Sequence, residues 1–279
     1  MGTIRRLGIV GLGLIGGSVA AAVRAVGDAV FVVGVDRPEV LADARHRGLI
    51  DDARVEPTHL SDVDLIVLAT PVPVILSLID DLGRAGMRVP VTDVGSTKRA
   101  IMATAARAGI ELVGGHPMAG VEASGLAHSR PDLFRGLRWF VVPGQASATS
   151  IRLVEQLATL AGATPRETDA ETHDRAMAYV SHLPQLVAVA LADAAGSAVG
   201  SSGLAMAGPA FGDMTRVASS SPELWQGILA SNADLVGEAI SRLRVCLDGL
   251  DADRQDPPAL VRTFARAAAF RDVARRMVE

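Results

Sequence analysis

Up to about residue 170 the hydrophobic positions come in short unbroken runs; beyond it they recur only at helical spacing. The runs at 7–10, 30–35, 64–70, 89–94, 112–113 and 138–142 are too short for helices and read as strands buried on both faces. Between them, 19–25, 39–47, 74–83 and a segment running from Lys98 through Ala108 have helical composition, and Gly48 stops the second. Residues 151–161 place Ile151, Val154, Leu157 and Ala161 on one face, widened by Leu153 and Leu160, and Gly162 ends that helix. Residues 163–169 form a connection or a last edge strand. Strands alternating with helices predict a doubly wound parallel sheet. From Ala170 helices are expected at 171–195, roughly 202–214, 221–247 and 259–278. No disordered linker or repeat separates the halves, so the change of period sets the boundary. It predicts an α/β domain over 1–166 and an all-helical domain over 167–279. Residues 186–195 are apolar nearly all round, which predicts burial against a partner, most simply a second copy in a symmetric dimer. On the last helix Arg262, Arg266, Arg271, Arg275 and Arg276 read as a solvated face.

The first strand runs straight into Gly11-x-Gly13-x-x-Gly16 and a helix. Gly11 permits the tight turn, Gly13 lets the backbone approach a pyrophosphate, and Gly16 lets helix and strand pack closely. The first amides of that helix, at Leu14 and Ile15, and its positive dipole end make an anion site. The second strand ends in Asp36, about twenty residues past Gly16, where a carboxylate accepts both ribose hydroxyls of an adenosine. Arg37 beside it is suited to a 2′-phosphate, so NAD is expected and NADP remains possible. The third strand ends in Ala69-Thr70-Pro71-Val72-Pro73, whose prolines forbid continuation and put Thr70 and Pro71 at the edge where such sheets bind ligands. Together these features predict an N-terminal Rossmann domain.

Composition narrows the partners. Nearly half the residues are hydrophobic but only 3% are aromatic, so the core must be built from Ala, Val, Leu and Ile. A net charge of −4 argues against nucleic acid. No unbroken apolar run reaches the roughly 18 to 20 residues of a membrane span. The single cysteine, Cys246, forbids an internal disulfide and fits a reducing compartment, and no signal-peptide pattern precedes the first strand. The expected location is the cytoplasm. The 27 basic residues include one lysine, Lys98; arginine's abundance fits a G+C-rich genome, and a surviving lysine can mark a place arginine cannot fill.

Three polar groups stand out. Asp93-x-x-Ser96-x-Lys98 follows the fourth strand. His116 tips the fifth, between glycines and Pro117, where an imidazole is the natural general base; His46, His59, His128 and His173 read as structural or solvent-facing. Ser181-His182-Leu183-Pro184-Gln185 interrupts a helix, which should kink because Pro184 leaves the carbonyl of Val180 without its partner. Beyond it, Arg216 could clamp a carboxylate through two parallel hydrogen bonds.

Together GLGLIGGS, DVGSTK, GGHPMAG, SHLP and FGDMTRVASSSPELW resemble the prephenate/arogenate dehydrogenase family of tyrosine biosynthesis, from Leu7 to about Trp225. The resemblance implies a Rossmann domain followed by a helical dimerisation domain, a homodimer, and oxidative decarboxylation of prephenate or arogenate with NAD or NADP and no metal. By position, it makes His116 the catalytic base toward the ring 4-hydroxyl and Ser96 a residue that orients that hydroxyl. Arg216 would bind a substrate carboxylate, with His182 and Gln185 at the substrate pocket. Many prephenate-using members read SHLPH, so Gln185 keeps the arogenate alternative open. With little chain after its last expected helix, the regulatory ACT domain that some members carry is not expected. A β-hydroxyacid dehydrogenase or pyrroline-carboxylate reductase, and a non-catalytic NAD sensor, are the remaining alternatives. The HPMAG element argues against the first two, and the intact His116, Ser96 and Arg216 set against the third.

Overall fold

The computed structural model describes residues 3–27, 29–119 and 123–278. Gly120, the last residue of the GGHPMAG motif, lies outside them. Contacts divide the chain into two compact units, one ending at Ala233 and one beginning at Asp234.

The first unit is built on one eight-stranded sheet in the order β3-β2-β1-β4-β5-β6-β7-β8. In chain order these are β1 Arg6–Val10, β2 Phe31–Val35, β3 Asp52–Arg54, β4 Leu65–Leu68, β5 Val91–Asp93, β6 Leu112–Pro117, β7 Arg138–Val142 and β8 Thr164–Glu167. The helices between them are α1 Leu14–Ala25, α2 Pro38–His46, α3 Val72–Arg84, α4 Arg99–Ala108 and α5 Ala148–Leu160. Strands β1 to β6 are all parallel in the 3-2-1-4-5-6 order of the dinucleotide-binding sheet, so β1, β4, β5 and β6 end at one edge. The unbroken apolar runs are the central strands: Leu7, Ile9, Leu65, Ile66, Val67 and Leu68 are fully buried. Two features depart from the expected pattern. Strand β3 carries the residues Asp52, Ala53 and Arg54, which give no apolar run, so the edge strand is set by its pairing with β2. Strand β7 pairs antiparallel with β6 and parallel with β8, so the sheet is parallel only through β6.

The helical half begins with α6 Ala170–Met177, a π-helical turn Ala178–His182, and α7 Leu183–Leu204. The kink expected from Pro184 is taken up by this turn instead. Helix α7 restarts after it, with Pro184 in a first turn where a missing N–H serves no carbonyl. The helix expected near 202–214 is two: α7 runs to Leu204, with non-helical Gly200 inside it, and α8 Pro209–Thr215 starts anew on its proline. A 3-10 turn Arg216–Ser219 follows. The helix expected at 221–247 breaks at Asn232 into α9 Pro222–Ser231 and α10 Ala233–Asp253. The second unit, from Asp234, consists of the rest of α10 and α11 Pro257–Val278, tied where the Thr263 hydroxyl donates to Asp253 at 2.7 Å. The arginines expected on its surface are exposed.

Helices α6 and α7 with their π turn form a helical run, Ala170–Leu204, of 35 residues, and by length and composition alone it is long and apolar enough to cross a membrane. No unbroken apolar run marks this stretch in the sequence, because Leu, Val and Ala carry its hydropathy around scattered polar residues. Val189 and Val199 on α7 are exposed within the single chain.

Candidate active site

The β1–α1 turn has the geometry its glycines require. Gly11 sits at φ +92°, and a Cβ there would lie 2.6 Å from the Ala69 carbonyl oxygen. A Cβ on Gly16 would fall 1.9 Å from the Gly11 carbonyl oxygen, so this glycine sets how closely α1 packs on the turn. A Cβ on Gly13 would meet nothing within 4 Å: its missing side chain leaves open space before the N-terminus of α1. The first amides of α1, at Leu14 and Ile15, face that end with no preceding turn to bond. Asp36 stands over the same turn. Its Oδ2 accepts the Leu12 amide at 2.6 Å and its Oδ1 the Arg37 amide at 2.7 Å, which fixes the carboxylate and leaves each oxygen a lone pair. Arg37 is largely exposed, its Nε 3.9 Å from Asp36. At the end of β4 the Thr70 hydroxyl is buried with no hydrogen-bond partner among the described residues, and Pro71 caps α3. An anion-receptive helix end, an open cradle at Gly13, a poised carboxylate and an orphaned hydroxyl fit a dinucleotide.

The second half of the site grows from β5 and β6. Gly115 packs so closely that a Cβ would lie 2.3 Å from the Asp93 carbonyl oxygen, and this brings β6 against the end of β5. Lys98 is fully buried between them, its ammonium donating to Asp93 and, at 2.6 Å, to the Gly115 carbonyl. Asp93 also accepts the amides of Gly95 and Gly115, at 2.8 and 3.1 Å. The lone lysine is therefore a strut holding the residue before His116. A Cβ on Gly114 would come within 3.0 Å of the Lys98 Cδ, so the missing side chain at 114 makes room for the lysine stem.

His116 is half-buried at the end of β6. Its Nδ1 lies 2.9 Å from Nε2 of His173, and the two rings meet edge to face at 5.1 Å. Burial, reinforced by His173, Lys98 and His182, pushes the His116 imidazole well below its ordinary value, so it is neutral near pH 7. The expectation of a merely structural or solvent-facing His173 misses this contact. The Nδ1 of buried His173 lies 2.7 Å from Oδ1 of Asp174. Asp174 further accepts the amides of Lys98 at 2.7 Å and Arg99 at 2.9 Å. Burial opposes its ionisation, but the His173 hydrogen bond and these amides outweigh it and hold the carboxyl below its ordinary range. Nothing in the strand-and-helix pattern marks His173 and Asp174; the one signal is that His173 falls four residues before buried Met177, on the inner face of α6.

The remaining candidates fall in two places. Ser96 lies in the β5–α4 loop between Asp93 and Lys98, partly exposed. His182 closes the π-helical turn: its Nδ1 is 3.3 Å from the Asn232 amide, which also donates to the Asp174 carbonyl at 2.9 Å. Its ring meets Trp225 edge to face at 6.0 Å, and its buried Nε2 has no hydrogen-bond partner among the described residues. Burial, with His173 adding to it and Asp174 opposing, brings the His182 pKa down to about 4. Arg216 is exposed on its 3-10 turn, and buried Gln185 donates to the Val217 carbonyl of that turn at 2.8 Å. His116, His173, Asp174, Asn232 and His182 thus form one connected group, while Gln185 and Arg216 share a second.

A Rossmann sheet with a dinucleotide cradle, and a neutral histidine at the same sheet edge, define an NAD(P)-binding dehydrogenase. Residues 19–165 match the family model described as prephenate dehydrogenase, nucleotide-binding domain, and 169–266 match prephenate dehydrogenase, dimerization domain. The chain belongs to the prephenate dehydrogenase family. It is 33% identical over 278 residues to a prephenate dehydrogenase of Bacillus subtilis, covering 95% of this chain and 74% of that one. Among solved structures it matches the Aquifex aeolicus prephenate dehydrogenase in complex with hydroxyphenyl propionate and NAD+ (TM-score 0.89, 29% identity, 98% of this chain and 99% of that one). It also matches the Synechocystis arogenate dehydrogenase (TM-score 0.83, 28% identity, 96% and 99%).

Proposed function

We propose that this protein is an NAD-dependent prephenate dehydrogenase, converting prephenate to 4-hydroxyphenylpyruvate in tyrosine biosynthesis. The observation that carries the reading is His116, neutral at the ligand-binding edge of the sheet, with its Nδ1 held by His173 and, among the described residues, no hydrogen bond at its other ring nitrogen. In this reading His116 removes the proton of the ring 4-hydroxyl as the C4–H bond breaks. The dinucleotide, when bound, accepts the hydride. Loss of the ring carboxylate as CO2 then sends an electron pair through the ring to the oxygen, and His116 returns its proton to the phenol. Ser96 orients the hydroxyl, His182 lines the substrate pocket, Arg216 holds a substrate carboxylate, and Gln185 steadies the Arg216 turn. Gly11, Gly13, Leu14, Ile15, Gly16, Thr70 and Pro71 hold the cofactor, and Asp36 favours NAD because it would repel a 2′-phosphate. The dimer forms through the helical half, from 167 on, and the exposed apolar residues of α7 support it.

The second reading is arogenate as substrate, supported by the match to the Synechocystis arogenate dehydrogenase. Turnover of prephenate and arogenate, each with NAD and NADP, separates the two. A higher kcat/KM for prephenate with NAD is expected; a higher value for arogenate or for NADP overturns that part of the proposal.

A further inference from the structure

We infer that His173 and Asp174 are positioning residues that fix which nitrogen of His116 carries the proton. This rests on the reading of His116 as the base, but its test does not. Asp174, as a carboxylate, can only accept, and its other neighbours among the described residues are donors: the amides of Lys98 and Arg99, and the Arg99 guanidinium, whose Nε lies 3.5 Å from Oδ2. His173 must therefore present an N–H at Nδ1 to Asp174 Oδ1, 2.7 Å away. In the neutral imidazole this leaves Nε2 as a lone pair, aimed at His116 Nδ1 across 2.9 Å. The contact is a hydrogen bond only if His116 Nδ1 carries the proton. His116 Nε2 is then the unprotonated nitrogen, and the base has its lone pair on the side away from His173.

The order Asp174, His173, His116 thus sets one tautomer through two successive hydrogen bonds, each with a single allowed direction. When His116 accepts a proton at Nε2 it keeps its Nδ1–H, so the bond to His173 survives the step and strengthens as the donor becomes cationic. No proton needs to leave along the chain. The anchors are independent of substrate. Asp174 is held by two backbone amides at the start of α4 and by its place on α6, and the Asn232 amide fixes the Asp174 carbonyl. The ring of Phe140 meets His173 edge to face at 5.7 Å and limits its rotation. Asn at 174 would reverse the logic: its NH2 group, turned toward His173, would require an acceptor at Nδ1, move the His173 proton to Nε2 and force His116 to protonate on Nε2 instead.

The test is long-range proton–nitrogen correlation NMR on the full-length protein with histidine labelled in both ring nitrogens, near neutral pH and without ligands, on the parent and on Asp174→Asn. His116 protonated at Nδ1 in the parent, and shifted toward Nε2 protonation in the variant, is the expected result. Protonation at Nε2 in the parent overturns the inference, as does an unchanged tautomer in the variant. His173→Gln supplies a second route, because its amide oxygen can still accept from His116 Nδ1; it should keep the parental tautomer, whereas His173→Leu should lose the preference. In turnover, Asp174→Asn should lower kcat about 10²- to 10⁴-fold with KM little changed, the pattern of a base held in the wrong tautomer. A fall in kcat/KM through KM alone contradicts the positioning role. The NMR result stands whether or not prephenate proves to be the substrate, so failure of the functional reading is seen separately.

Discussion

Gln185 illustrates how a residue chosen for its chemistry can act through another. Its side-chain N–H donates to the Val217 carbonyl, one residue beyond Arg216, so its first effect is on the shape of the turn that presents the guanidinium. Gln185→Ala is expected to raise KM about fivefold for prephenate and arogenate alike with kcat kept, the worth of one hydrogen bond near 1 kcal/mol. A changed ratio between the two substrates would place residue 185 against the group that distinguishes them. His116 was legible in the sequence because it follows a strand and two glycines, a position with a meaning of its own. His173 and Asp174 were not, since their importance comes from α6 crossing the start of α4, a tertiary contact that no local pattern encodes. Lys98 lay between these cases: composition singled it out, but only the packed structure shows it buried against Asp93 and Gly115.

Among the elements, the β1–α1 turn was the most legible, because three glycines at fixed spacing answer three separate steric demands. Gly16→Ala tests the tightest of them. Its Cβ would fall 1.9 Å from the Gly11 carbonyl oxygen, with the Ala69 Cβ 3.0 Å away, so α1 must move off the turn. Titration with NADH should show binding weakened at least tenfold while the His116 environment is kept; unchanged affinity would remove this turn from the cofactor site. The elements that were not legible fail for identifiable reasons. Strand β3 is too short and too polar to show a run. The split of the expected 221–247 helix at Asn232 reflects a buried side chain satisfied by Asp174 and Arg99, which outweighs the helical periodicity on either side. The π-helical turn before Pro184 is a response to the proline that periodicity registers only as an interruption.

At the scale of the molecule, burying neutral histidines links stability to pH. His182 has a folded pKa of about 4 against about 6.5 unfolded, and His116 is also lowered. A depressed histidine makes the unfolded state the better proton binder between those values. The stability it supports is therefore complete above about pH 6.5 and lost as pH falls toward 4. His182 alone contributes roughly 3 kcal/mol over that window. Denaturant unfolding at a series of pH values should show the loss, and a His182→Asn variant should flatten it; a parent equally stable at pH 4 and 7 would contradict the burial. The same depression keeps His116 unprotonated at neutral pH, and on this the functional account turns. The direct measurement is NADH formation from prephenate and NAD by the parent and by His116→Asn. The expected result is a turning-over parent and a variant slowed about 10²- to 10⁴-fold in kcat, with NAD binding unchanged. A variant within a few-fold of the parent, or a parent that reduces NAD with neither prephenate nor arogenate, would contradict it.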